Sequence, residues 1–105
     1  MAARQSHVVE TVVVEEQIEF TLLDLCRACG APERQLLELV AEGVLEPRGS
    51  GPADWRFSGP ALRTARTALR LERSLELGPS GAALVIDLLD EIAALRARLR
   101  RAGLV

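Results

Sequence analysis

Cys26-x-x-Cys29 has a spacing that thiol chemistry uses. A thiolate in such a pair is stabilised at a helix N-terminus, where the backbone dipole is positive. Here the pair falls at the C-terminal end of a helix expected over residues 22–29, where the dipole has the opposite sign. Both positions also coincide with that helix's apolar stripe, so they are expected to pack as small hydrophobes. A structural zinc wants four nitrogen or sulfur ligands, and the sequence adds only His7 to the two cysteines, so no metal site is expected. His7 lies in a stretch without pattern, no glycine-rich phosphate loop occurs, and no Ser/His/Asp set can be assembled. A non-catalytic chain without a cofactor is expected. Asp87, Asp90 and Glu91 share a helix face and read as solvation.

What remains is charge displayed on helices. Residues 1–46 hold nine acids and three arginines, net −6, whereas residues 47–105 hold six acids and ten arginines, net +4. The whole chain is −2, against the usual net-basic balance of a dedicated nucleic-acid binder. Arg63, Arg66, Arg70 and Arg73 recur at i, i+3, i+7 and i+10, a positive stripe. It could grip phosphates, or cover apolar stems and pair with acids of the chain or a second copy. Arg96, Arg98, Arg100 and Arg101 suit the C-terminal end of the last helix. Glu33, Glu38 and Glu42, followed by Glu46, are expected on the outward side of the second helix and just beyond it.

The elements that must position these charges are mostly helices. Thr21 can cap a helix over 22–29, whose stripe is Leu22, Leu25, Cys26 and Cys29, and Gly30 ends it. Pro32 fits the first turn of a second helix, 33–42, with Leu36, Leu39 and Val40 inward and Leu37 on the border. Two short helices joined by a tight glycine-containing turn make a helix-turn-helix pattern. Val44 to Arg48 and Trp55 to Phe57 read as a wing-like hairpin around Gly49-Ser50-Gly51-Pro52. Ser58 can cap a third helix, from about Pro60 to Leu77, with Leu62/Ala65/Leu69 and Ala68/Leu71/Leu75 on two apolar faces. Ser80 can cap a last helix reaching Arg101. There Val85, Leu88, Ile92, Leu95 and Leu99 repeat at threes and fours like a coiled-coil seam, and a homodimer is expected. Residues 7–14, rich in valine, read as a short strand in need of a partner.

With 105 residues, 49% hydrophobic and 27% charged, the chain suits one small globular domain. Its aromatics are Phe20, Trp55 and Phe57, so Leu, Val, Ile and Ala must fill the core. No secretory signal or membrane span is indicated, and a cytoplasmic protein is expected. The expected organisation is an N-terminal tail and strand (1–17), a winged helix-turn-helix (18–77) and a coiled-coil helix (78–105).

The arrangement resembles the MerR-type winged helix-turn-helix through Phe20-Thr21-Leu22-Leu23-Asp24-Leu25-Cys26, Leu36 and Glu42-Gly43-Val44-Leu45-Glu46-Pro47, over residues 18–101. DNA-binding members carry an arginine and then aromatics after the position of Leu36. This chain has Leu37, Glu38 and Leu39 instead, and Trp55 where the wing arginine is usual. Those departures are similar to the chaperone modulatory (CbpM) family, whose hallmarks stand here as Gly43-Val44-Leu45-Glu46-Pro47-Arg48, Trp55-Arg56-Phe57, Ala68-Leu69-Arg70-Leu71 and Leu88-Leu89-Asp90-Glu91-Ile92. The expected fold is therefore mainly α: a winged helix-turn-helix with a short N-terminal strand and a long C-terminal dimerisation helix.

This resemblance implies a dimer that binds the J-domain of the co-chaperone CbpA, blocks its stimulation of the heat-shock chaperone and antagonises its DNA binding. It also implies a basic second helix on that J-domain. Glu38 and Glu42 are expected against that helix, with Leu37 and Trp55 as apolar anchors. The alternative is a MerR-type transcriptional regulator gripping DNA through the wing and the arginine stripe. The acidic second helix disfavours DNA as a partner.

Overall fold

The computed structural model describes residues 18–104, in the order β1 (Glu19–Phe20), α1 (Leu22–Cys29), α2 (Glu33–Ala41), β2 (Phe57–Ser58), α3 (Gly59–Ser74) and α4 (Pro79–Arg101). The strand expected over 7–14, and His7, lie outside the described residues. Local signals set the helix-turn-helix. The Thr21 hydroxyl accepts from the Asp24 amide at 3.0 Å, and the Asp24 carboxylate accepts from the Thr21 amide at 2.9 Å. This reciprocal cap satisfies two amides that the first turn would leave orphaned. Gly30, at φ +63°, turns the chain out of α1. Pro32 stands at the N-cap of α2, one position before its first turn.

The wing differs from the expected hairpin. Val44 and Leu45 form no strand, because both their amides go to the Leu39 carbonyl at the end of α2, at 2.9 and 3.4 Å. Gly43, at φ +77°, makes that return, and Leu45 drops into the core. Only Arg48 and Arg56 bridge across the wing, through two backbone hydrogen bonds of 3.0 and 2.9 Å. Phe57 pairs instead with Phe20, in the antiparallel β1–β2 ladder. An Arg48–Glu19 ion pair ties the wing to β1.

At the wing tip, the Asp54 amide donates to the Gly51 carbonyl at 2.9 Å and the Ser50 hydroxyl bonds the Asp54 carboxylate at 3.1 Å. Gly49 sits at φ +123°, and a Cβ there would lie 2.7 Å from the Asp54 carbonyl oxygen. Gly49→Ala is therefore expected to cost about 1–3 kcal/mol of stability, read as a lowered thermal midpoint.

α3 is the bridge its two apolar faces imply. It packs on α1, α2, α4 and β2, with Ala65, Ala68 and Leu69 buried and Leu62 and Leu71 half-buried. Ser58 occupies its N-cap position without a side-chain cap bond. The helix stops at Ser74 rather than Leu77. Leu75 caps it, Glu76 takes φ +54°, and Leu77 packs beside Gly81 in the first turn of α4. The left-handed backbone at Glu76 breaks the helical repeat before Leu77. Leu75 consequently lies exposed, off the face assigned to it. Gly78 and Pro79, not Ser80, start α4: Gly78 is the N-cap and Pro79 the first helical residue, where its missing amide costs nothing.

The core is Leu22, Leu25, Leu36, Leu39, Leu45, Phe57, Ala65, Ala68 and Leu69, with Ile86 reaching in from α4. Phe57 is the largest fully buried side chain, and Trp55 meets it edge-on with ring centroids 6.0 Å apart. Small alanines on α3 let the neighbouring helices approach closely, while leucines fill the space between them.

Candidate functional site

Burial of Leu36 and Leu39 fixes which side of α2 faces out. Turning 100° per residue from that buried edge puts Arg34 and Ala41 on the far side, Leu37 and Glu38 at its two borders, and Glu33 and Glu42 flanking them. Glu33 and Glu42 are exposed, as is Glu46 beyond the helix. Glu38 is half-buried and accepts from Arg34 at 2.9 Å. With the Arg34 side chain 74% exposed, that pair is worth only about 0.2–1 kcal/mol. Leu37 is half-buried and rests partly on the core.

The four residues expected to meet a partner thus lie on two elements. Leu37, Glu38 and Glu42 belong to α2 and its cap. Trp55 stands on the wing, half-buried against Phe57.

Sequence reading missed Glu72 on α3. Its Oε2 is fully buried and has no hydrogen-bond partner among the described residues. Burial, and then the nearby Glu38 charge, hold its carboxyl above the ordinary 4.5. The signal was available: Glu72 follows Ala65, Ala68 and Leu69 on one helical stripe. As pH rises past 4.5 the unfolded chain releases this proton before the folded state does. Its stabilising contribution is therefore full below pH 4.5 and is lost as pH rises through the folded-state value. Glu72→Gln is expected to raise the melting temperature at neutral pH, and the gain should vanish in acid. Melting curves across pH check this.

The arginine stripe of α3 is solvent-exposed along its length. Arg66 reaches the Ala28 carbonyl near the end of α1, at 3.5 Å. Cys26 and Cys29 are free thiols, half-buried against the core. Burial raises the pKa of both; the Glu33 charge adds to this at Cys26, and the Arg66 charge opposes it at Cys29. Raised thiols stay protonated at neutral pH, which suits packing and not thiolate chemistry.

On α4, Ala82 and Ile86 are buried and Val85 is half-buried, but beyond them the apolar stripe emerges. Leu88, Ile92, Leu95 and Leu99 are 54, 45, 45 and 40% exposed in the single chain, with Leu84 and Leu89 beside them. No helix among the described residues is long and apolar enough to cross a membrane.

Residues 20–102 match the profile of the MerR HTH family regulatory proteins. The chain is 31% identical over 93 residues to the chaperone modulatory protein CbpM of Coxiella burnetii, covering 89% of this chain and 88% of that one. It is 38% identical over 79 residues to the protein of the same name from Salmonella paratyphi B, covering 75% and 78% respectively.

Proposed function

This chain belongs to the MerR helix-turn-helix family and, within it, to the chaperone modulatory CbpM group, and from that premise we propose that it works by binding alone. It is a cytoplasmic homodimer that engages the J-domain of the co-chaperone CbpA and so restrains both its co-chaperone activity and its DNA binding. One observation carries the reading: the helix that a DNA-binding relative would lay in the major groove displays Glu38 and Glu42 beside the half-buried Leu37.

Carboxylates at that position are repelled by a phosphate-lined groove and attracted to a basic polypeptide helix. Leu37 and the wing residue Trp55 supply apolar contact on either side. The exposed stripe Leu88, Ile92, Leu95 and Leu99, with Val85 at its inner end, gives a second copy of α4 a seam to cover.

The rival reading, a DNA-binding regulator, draws on the exposed arginines of α3. Two titrations separate the readings. Purified CbpA J-domain should bind the dimer saturably, and duplex DNA at low salt should bind weakly or not at all. Absence of J-domain binding would reject the modulator reading. Tight DNA binding with a steep salt slope would favour the rival.

A further inference from the structure

A groove of about 640 Å³ opens between α1, the turn into α2 and the wing tip. Leu23 and Cys26 of α1, Pro32 and Glu33 at the start of α2, and Pro52 and Ala53 of the wing line it. Its volume is within the roughly 300–1,000 Å³ typical of sites that enclose apolar groups. Leu23 is 56% exposed, although α1 buries its other leucines. The wing wall is preformed, because the Ser50–Asp54 hydrogen bond and the Asp54–Gly51 turn close the tip that carries Pro52 and Ala53.

Two features indicate what fits there. The groove lies between the elements that carry the two apolar anchors: Glu33 precedes Leu37 by one helical turn, and Ala53 precedes Trp55 by two residues. Glu33 is also the charged residue in the lining. Asp24, close by, is occupied by its cap. Its carboxyl is held below the usual range first by the Thr21 amide, then by the Thr21 hydroxyl, with smaller contributions from Arg27 and Arg56. α4, the helix whose exposed stripe is assigned to a second copy, contributes no residue to the lining.

We infer that this groove receives an aliphatic or methionine side chain from a basic amphipathic helix of the partner, with a lysine or arginine three or four residues along that helix meeting Glu33. This inference rests on the J-domain reading above and names where that domain's helix is anchored. Residues three or four apart on a helix lie about 5–6 Å from each other, a spacing that lets one side chain enter the groove while its neighbour stays at the rim.

The test titrates the full-length dimer with purified CbpA J-domain. Leu23→Asp puts a charge at the groove, Ala53→Trp fills it, and Glu33→Gln removes the rim charge. The first two are each expected to weaken binding about tenfold or more, as loss of an interface anchor does. Glu33→Gln is expected to weaken it about threefold and to flatten the salt dependence. Circular dichroism and sedimentation should be unchanged, since Leu23 and the wing tip lie outside the core.

Wild-type affinity in both Leu23→Asp and Ala53→Trp, with the unmodified dimer binding normally, would overturn the groove assignment and leave the J-domain reading intact. Dissociation of the Ala53→Trp dimer would give the groove to a second copy and overturn it as well. If the unmodified dimer does not bind the J-domain, the parent reading fails, and this inference fails with it.

Discussion

Ile92→Asp is expected to leave the chain folded and to abolish the dimer. In the single chain Ile92 is 45% exposed and lies beyond Ala82 and Ile86, the α4 residues that are buried. The substitution therefore removes nothing from the core. In the proposed dimer, Ile92 would sit mid-seam between Leu88 and Leu95, and two-fold symmetry would introduce the charge on both copies. A buried, unpaired charge costs about 3–5 kcal/mol, which corresponds to a dimer constant weakened by more than about 100-fold. Sedimentation at micromolar concentration should show a monomer with an unchanged helical circular dichroism spectrum. A dimer of unaltered affinity would place the second copy elsewhere than on the Leu88–Leu99 stripe.

Most of the helix-turn-helix was legible in the sequence, because its determinants are local. Thr21 with Asp24, then Gly30 and Gly43, act within one turn of the helix ends they set, and Leu22, Leu25, Leu36 and Leu39 fall inward at helical spacing. The misread parts lack such a signal. The strand pairing depends on a contact across the chain, Phe57 finding Phe20 rather than a residue across the wing, and the end of α3 falls at a left-handed backbone on Glu76, a residue type that does not announce it. Strands of two residues carry no period to detect.

The candidate site divides the same way. The acids of α2 can be read from helical phase alone. The wing-tip groove brings residues 21–33 together with 52 and 53, and no spacing announces that juxtaposition. Glu72 was legible in principle from its stripe, but the arginines that alternate with it along α3 draw attention to the opposite face.

Reversing the two acids of α2 has the second large expected effect. Glu38→Arg with Glu42→Arg turns attraction to a basic helix into like-charge repulsion, which costs several kcal/mol at an interface. The fold should tolerate the change. Glu42 is exposed, the lost Arg34–Glu38 pair lies at the surface, and an arginine at 38 would face Glu72 with opposite rather than like charge. The double variant should therefore remain a folded dimer while losing about 100-fold or more in affinity for the J-domain.

The central claim, that a helix placed to read a duplex here presents negative charge to a cationic polypeptide, is tested most directly by calorimetric titration of both proteins with the CbpA J-domain at low and high salt. The wild-type dimer is expected to bind, and to bind more weakly as salt rises; the double variant is expected to show little binding at either salt. Equal affinity of the two proteins for the J-domain, insensitive to salt, would contradict the claim.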